Sequence, residues 1–219
     1  MICLAGMCFM LLGCSSVFRP YPCGPVLEEE DVQIFQRQSE FLGLKKGTTF
    51  ADIGASSCYY DAAMAVFVDS VTFYLNDIDY HCLNQKNLGK VLRYYSKIRG
   101  QRIESTNNFH FIIGTPTQTR LPHNAFDVIF SNATMHVIEY PDSILSDLNA
   151  NLKEDGYLFI RDEFLYDSVE RKCPSKKCQR QLLQYDPFIA LMNRNGFVLA
   201  GETLEFGYPI YKFSKSSRP

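Results

Sequence analysis

A chain of 219 residues, 46% hydrophobic and 21% charged, has the composition of a folded globular protein and the length of one domain with short extensions. Its formal net charge of -2 excludes recruitment of nucleic acid by bulk electrostatics. No apolar run reaches the roughly 20 residues that a membrane-spanning helix needs, and there is no internal repeat.

The first segment, Met1 to Leu12, is apolar and has the length of a signal-peptide core. It runs into Leu11-Leu12-Gly13-Cys14-Ser15-Ser16, which resembles a bacterial lipobox: an aliphatic residue, a second residue, a small residue at the cleavage point, and the Cys that takes the acyl chains. The resemblance implies a signal peptide over residues 1–13, lipidation at Cys14, a tether over residues 14–25 and a folded domain over residues 26–219. The protein would then be a lipoprotein anchored to a membrane of the cell envelope. No Lys or Arg precedes the apolar run, so a second reading stays open, in which residues 1–25 are a misassigned start and the protein is cytoplasmic.

Of the eight cysteines, Cys3 and Cys8 fall in the signal segment and Cys14 at the lipobox, leaving Cys23, Cys58, Cys82, Cys173 and Cys178. An odd remainder is not a complete disulfide framework. Cys173 and Cys178 would close a small loop in an oxidising compartment or stay as two thiols. No second Cys/His pair has the spacing of a zinc site, so no metal is expected.

Val26 to Leu42 patterns as a helix, with Val32, Phe35 and Phe41 among charges, acidic residues near its start and Gly43 as its stop. Strands and helices then alternate. Thr48 to Ile53 reads as a strand, Tyr60 to Val68 as a helix, Val71 to Leu75 as a strand and His81 to Arg99 as a long amphipathic helix. Phe109 to Ile113 and Phe126 to Ser131 read as strands, Asp142 to Leu152 as a helix with a turn at Asp155-Gly156, and Tyr157 to Ile160 as a strand. Arg161 to Gln179 is a charged insertion, either a lid or a solvated loop. Arg180 to Asn195 reads as a helix, and Phe197 to Ala200 and Tyr208 to Phe213 as closing strands. Such alternation predicts a mainly parallel sheet covered on both faces, with a ligand beyond the carboxyl ends of the strands.

Two loops carry the strongest site pattern. After the first strand comes Asp52-Ile53-Gly54-Ala55-Ser56-Ser57, where Gly54 permits a tight turn and Ser56 and Ser57 are candidate helix caps. After the second strand comes Asn76-Asp77-Ile78-Asp79, which puts a carboxylate about 20 residues beyond the glycine turn, as in nucleotide-binding folds where it accepts from ribose hydroxyls.

These loops, with Arg120 to His136 around the fourth strand and Leu152-Lys153-Glu154-Asp155-Gly156-Tyr157-Leu158 before the fifth, resemble the motifs of class I S-adenosylmethionine-dependent methyltransferases. The resemblance runs from about Gln33 to Phe213. It implies a Rossmann-like three-layer α/β/α sandwich with a mostly parallel seven-stranded sheet and an antiparallel C-terminal strand. It implies S-adenosylmethionine as cofactor, with Asp52, Gly54, Ala55 and Ser56 around the methionine end, Asp77 on the ribose, Ile78 against the adenine and Thr115 near the adenine amine. Asn132 would face the methyl group; Asn132 and His136 are the candidates for a catalytic role. The chain departs from the family at Ser56 and Cys58, where it commonly has glycine, and at Thr115, where it often has an acid. The expected activity is methyl transfer to an unidentified acceptor, a small molecule rather than a nucleic acid. The departures leave a second reading: a non-catalytic, lipid-anchored binding or scaffold protein on the same fold.

Overall fold

The computed structural model describes residue 23 and residues 29–167, 169–172, 180–204 and 207–216. The lipobox with Cys14 and the pair Cys173 and Cys178 lie outside the described residues. Among the described residues no helix is long and apolar enough to cross a membrane.

Among the described residues, nine strands and five α-helices follow in the order α1 (Glu29–Phe41), β1 (Thr49–Ile53), α2 (Tyr59–Met64), β2 (Thr72–Asp77), α3 (Gln85–Arg99), β3 (Asn108–Ile113), β4 (Phe126–Asn132), α4 (Pro141–Asn151), β5 (Leu152–Arg161), β6 (Phe164–Leu165), β7 (Leu183–Gln184), α5 (Tyr185–Arg194), β8 (Phe197–Thr203) and β9 (Ile210–Lys215). The main sheet has the order β3-β2-β1-β4-β5-β9-β8. Strands β1 to β5 pair in parallel, while β9 runs antiparallel to both β5 and β8. This is the three-layer, mostly parallel arrangement that the alternation and the motif resemblance predict. The chain works outward from β1 through β2 to β3, then returns to place β4 on the other side of β1. The strand order therefore reverses between β1 and β4, which opens a crevice at their carboxyl ends.

The side-chain alternation of the central strands builds two cores. Phe50, Phe73, Leu75, Phe130 and Phe159 point to one face, against α1, α2 and α3. Ala51, Ile53, Ile129, Leu158 and Ile160 point to the other, against Ile144, Leu145 and Leu148 of α4 and Phe188, Leu191 and Met192 of α5. Burying a side chain of this size contributes about 1.5–3 kcal/mol. With no Trp in the chain, phenylalanines fill the centre. Phe50 meets Phe73 edge-on at 5.4 Å, and Phe73 stacks on Phe109 at 5.0 Å.

Several element boundaries differ from the sequence expectation, each for a local reason. Helix α3 begins at Gln85 rather than His81, because the Asn84 side chain accepts from the Asn87 amide and caps it there. Helix α2 ends at Met64, not Val68, and its N-cap is Cys58 without a side-chain cap bond, so neither Ser56 nor Ser57 caps it. The expected helix from Arg180 begins only at Tyr185, because Leu183 and Gln184 pair with Phe164 and Leu165 as a two-residue ladder. Asp155 and Gly156 lie inside β5, where the register against β4 shifts between Phe126 and Val128. A Cβ on Gly156 would sit 2.7 Å from the Phe126 carbonyl oxygen, so the strands approach too closely there for any other residue.

Side chains hold the turns that aim the strands. Asn107, buried just before β3, accepts from the Val71 amide at 3.0 Å and donates to the Val68 carbonyl at 2.9 Å. No helix joins β3 to β4; Asn76 donates instead to the Ile112 and Thr119 carbonyls at 3.0 and 2.8 Å, and Thr119 donates to Asp147 of α4. Asn107→Ala leaves the buried Val71 amide without its partner, while the Val68 carbonyl keeps its bond from Arg99. It is expected to cost about 1–3 kcal/mol, read as a lower urea midpoint with an unchanged m-value.

Candidate cofactor site

The crevice at the strand ends is a cavity of about 510 Å³, inside the size range of small-molecule sites. Its walls come from the end of β1 and its loop (Asp52, Gly54, Ala55, Ser56), the end of β2 (Asn76, Asp77, Ile78), the turn after β3 (Thr115, Thr119) and the end of β4 (Asn132, Thr134), with Tyr59 and Tyr60 from α2. Every residue that the sequence assigns to the cofactor lines this one cavity. His136 does not line it. Its Nδ1 lies 2.8 Å from the buried Asp162 carboxylate and its amide donates to the same group, so the side chain ties the loop after β4 to the end of β5.

The β1 loop is held by backbone chemistry. The Gly54 and Ala55 amides both donate to the Asn76 carbonyl, at 2.8 and 3.0 Å. Gly54 has φ +82, and a Cβ there would lie 2.1 Å from Thr134 Oγ1. Only glycine permits this turn beneath Thr134. Ser56 and Cys58, the two departures from glycine, adopt left-handed φ of 47 and 63. The loop thus keeps a path suited to glycine at a cost of about 1–2 kcal/mol for each residue. The Cys58 side chain is buried in the α1–α3 core, away from the cavity wall. The Ser56 hydroxyl donates to the Cys23 carbonyl at 2.5 Å. The two departures therefore leave the loop's course intact.

Asp77 accepts the Ser56 amide on one carboxylate oxygen at 2.8 Å and the Asp79 amide on the other at 2.9 Å. A carboxylate offers about four lone-pair sites, so each oxygen keeps acceptor capacity toward the cavity. Ile78, 59% exposed beside it, presents a flat apolar surface. Thr115 is turned inward on itself: its hydroxyl accepts the Gln118 amide at 3.0 Å.

At the other end, Asn132 Oδ1 accepts from Arg161 at 2.9 Å, and the same guanidinium nitrogen donates to the Tyr60 hydroxyl at 2.9 Å. The Arg161 guanidinium also lies 5.6 Å from the Tyr208 ring. Sequence reasoning did not find Tyr60 and Arg161, which meet at Asn132 from α2 and β5, or Thr134, whose part depends on its packing over Gly54.

Beneath the floor lies Asp61, also unanticipated. It is fully buried, and Asp52 beside it is 3% exposed. Burial pushes both carboxyls up, Asp52 further through the charge and hydrogen bond of Asp61, and Asp61 to about 7. Two carboxyls so close in a dry site hold one proton between them. That shared proton also supplies the hydrogen bond that neither group otherwise finds. Burial, with the nearby acids, keeps the Cys58 thiol protonated as well. No group of three or more His, Cys, Asp or Glu able to hold a metal occurs among the described residues.

Residues 52–160 match the family model described as Methyltransferase domain. That stretch, just under half of the chain, is similar to a methyltransferase domain. A SAM-dependent methyltransferase from Aquifex aeolicus superposes with TM-score 0.60 and 16% identity, over 87% of this chain and 100% of that one. The 1,6-didemethyltoxoflavin-N1-methyltransferase of Burkholderia thailandensis, solved with S-adenosylhomocysteine, has TM-score 0.58 and 15% identity, over 87% of this chain and 80% of that one. The [4+2]-cyclase SpnF has TM-score 0.58 and 14% identity, over 78% of this chain and 58% of that one. No curated protein matches the sequence. At these identities the structures establish the fold, and S-adenosylmethionine is the cofactor that the methyltransferase domain implies.

The residues present suit that cofactor. Asp77 keeps acceptor capacity for hydroxyls beside the apolar Ile78, and the β1 loop from Asp52 to Ser56 lines the same cavity. The carboxyl pair makes the domain's stability pH-dependent. An acid whose pKa is raised on folding makes the folded chain bind more protons than the unfolded one, so stability falls as pH rises from 3.8 to about 7. The melting temperature is expected to fall between pH 5 and 8. Asp61→Asn should flatten that slope and melt higher at pH 8; parallel slopes for the two proteins would contradict the shared proton.

Proposed function

We propose that this chain binds S-adenosylmethionine in the cavity between β1 and β4 and transfers its methyl group to a small-molecule acceptor. The observation that carries the reading is the convergence of Asp52, Gly54 and Asp77 on one cavity at the point where the strand order reverses. The cofactor supplies an activated methyl group on a sulfonium. The chain's part is to bind, align and keep water out, an effect of proximity and orientation.

Asp77 is the acceptor for the ribose hydroxyls, and Ile78 packs on the adenine. The loop from Asp52 to Ser56 surrounds the methionine end. Asn132, held by Arg161, and the rings of Tyr59 and Tyr60 border the space where the acceptor meets the methyl group. Burial holds the Tyr59 phenol well above its ordinary pKa, so it stays neutral and serves as a wall and hydrogen-bond donor rather than a base. His136 stands off the cavity, bound to Asp162, so it is not placed to act as a base on the acceptor.

Calorimetry with S-adenosylmethionine and S-adenosylhomocysteine tests this reading. Micromolar-range binding is expected, and Asp77→Ala should weaken it by about 1–3 kcal/mol through lost charge-assisted hydrogen bonds. Absence of binding at millimolar ligand would overturn it. A second reading, a non-catalytic, lipid-anchored binding or scaffold protein, draws on Ser56 and Cys58 standing at positive φ in the cofactor loop. It predicts binding without release of S-adenosylhomocysteine across a panel of small acceptors.

We further propose export and lipidation at Cys14, which would anchor the domain to an envelope membrane. The Cys23–Cys82 disulfide supports this, since such bonds persist in oxidising compartments. Cells fed radioactive fatty acid are expected to label the wild-type protein and not Cys14→Ala; label surviving the substitution would place the acyl chain elsewhere.

A further inference from the structure

Outside the family motifs, one covalent bond touches the cavity. Cys23 and Cys82 are joined across 59 residues of sequence, and Cys23 stands in the cavity wall beside Ser56 and Ile78. The bond closes a ring of contacts around that side of the cavity mouth. Cys82 donates its amide to the Asp79 carbonyl at 3.1 Å, and Asp79 donates its own amide to Asp77. Asp77 accepts the Ser56 amide on its other oxygen, and the Ser56 hydroxyl donates to the Cys23 carbonyl. From Cys23 the disulfide returns to Cys82. Every link except the disulfide is a single hydrogen bond or a short run of chain.

The ring passes through both oxygens of Asp77 and through Ser56, a non-glycine residue held in the left-handed region. Such a residue departs from this conformation unless its surroundings hold it there. The hydroxyl bond to Cys23 is one of those restraints, and it lasts only while Cys23 is kept in place.

We propose that the Cys23–Cys82 disulfide is a redox-sensitive clasp on the cofactor cavity, which is competent when the bond is formed and loosened when a dithiol reduces it. The inference rests on the cofactor reading of the cavity. In the reaction, one thiolate of the dithiol attacks a sulfur of the protein disulfide. The S–S bond breaks, a mixed disulfide forms, and the departing sulfur takes up a proton. The second thiolate of the dithiol then displaces the other protein sulfur, which is protonated in turn. Two electrons pass to the protein, and the dithiol leaves as a disulfide. Both cysteines are half-buried, within reach of a small dithiol. Cys58, the free cysteine among the described residues, is fully buried and held as a neutral thiol, so it does not exchange with the clasp.

The test is calorimetry of S-adenosylhomocysteine with the full-length protein, oxidised, then reduced with dithiothreitol, then reoxidised. Reduction is expected to weaken binding about tenfold, with recovery on reoxidation. Hydrogen exchange at the Ser56 and Asp79 amides should accelerate on reduction while the β4 amides stay protected. Cys23→Ser with Cys82→Ser should bind like the reduced protein under both conditions. Equal affinity and equal exchange in the oxidised and reduced proteins would overturn the clasp and leave the cofactor reading standing. No binding in either state would overturn the cofactor reading, and the clasp with it.

Discussion

The Asn76 carbonyl accepts two consecutive amides, those of Gly54 and Ala55, and so turns the chain sharply as it leaves β1. Most of the cavity depends on that turn. It brings the β1 loop against the end of β2, where Asp77 receives the Ser56 amide, and under the end of β4, where Thr134 covers Gly54. Asn76 also holds the β3–β4 connection through its side chain, so one residue joins three strand ends. The strand order dictates that these ends diverge; the Asn76 contacts set how far.

The loop beyond the turn shows how backbone geometry can outlast a change of residue. Glycine is favoured at positive φ because it has no Cβ, yet Ser56 and Cys58 occupy the left-handed region here. Each is restrained by a neighbour: Ser56 by its bonds to Asp77 and Cys23, and Cys58 by burial of its side chain among α1 to α3. The Cys58 side chain leads away from the cavity, and the Ser56 hydroxyl is tied to Cys23 in the wall. The conformational cost falls on stability rather than on the shape of the cavity.

Electrostatics divide the site into two parts. Asp77 stands at the mouth with hydrogen-bonded oxygens and acceptor capacity to spare. Asp52 and Asp61 lie beneath, where burial makes two charges prohibitive and one proton is shared. Arg161 bonds to the wall residues Tyr60 and Asn132 and lies against the Tyr208 ring, so its positive charge is spread over aromatic faces and neutral acceptors. The cavity wall is thus acidic at the ends of β1 and β2 and aromatic where Tyr59 and Tyr60 of α2 face it.

Much of this was legible in the sequence where the signal was local. The alternation Phe50-Ala51-Asp52-Ile53 and Val128-Ile129-Phe130 announces strands buried on both faces. The spacing from Gly54 to Asp77 places a carboxylate at the next strand end. All eight residues that the family resemblance assigns to the cofactor line one cavity. What depended on distant partners was not legible. Asp61 reads as one acid in a short helix until Asp52 is seen beside it, and Arg161 reads as part of a charged insertion until β5 sets it beside Asn132. His136 looks like a base until Asp162 is found at its ring. Cys23 and Cys82, 59 residues apart, carry no local mark of a pair. Periodicity and turn chemistry are written residue by residue, so the sequence alone determined the layers and the location of the cavity. Which side chains meet across it depends on how strands pack and register, and that only the tertiary structure decided.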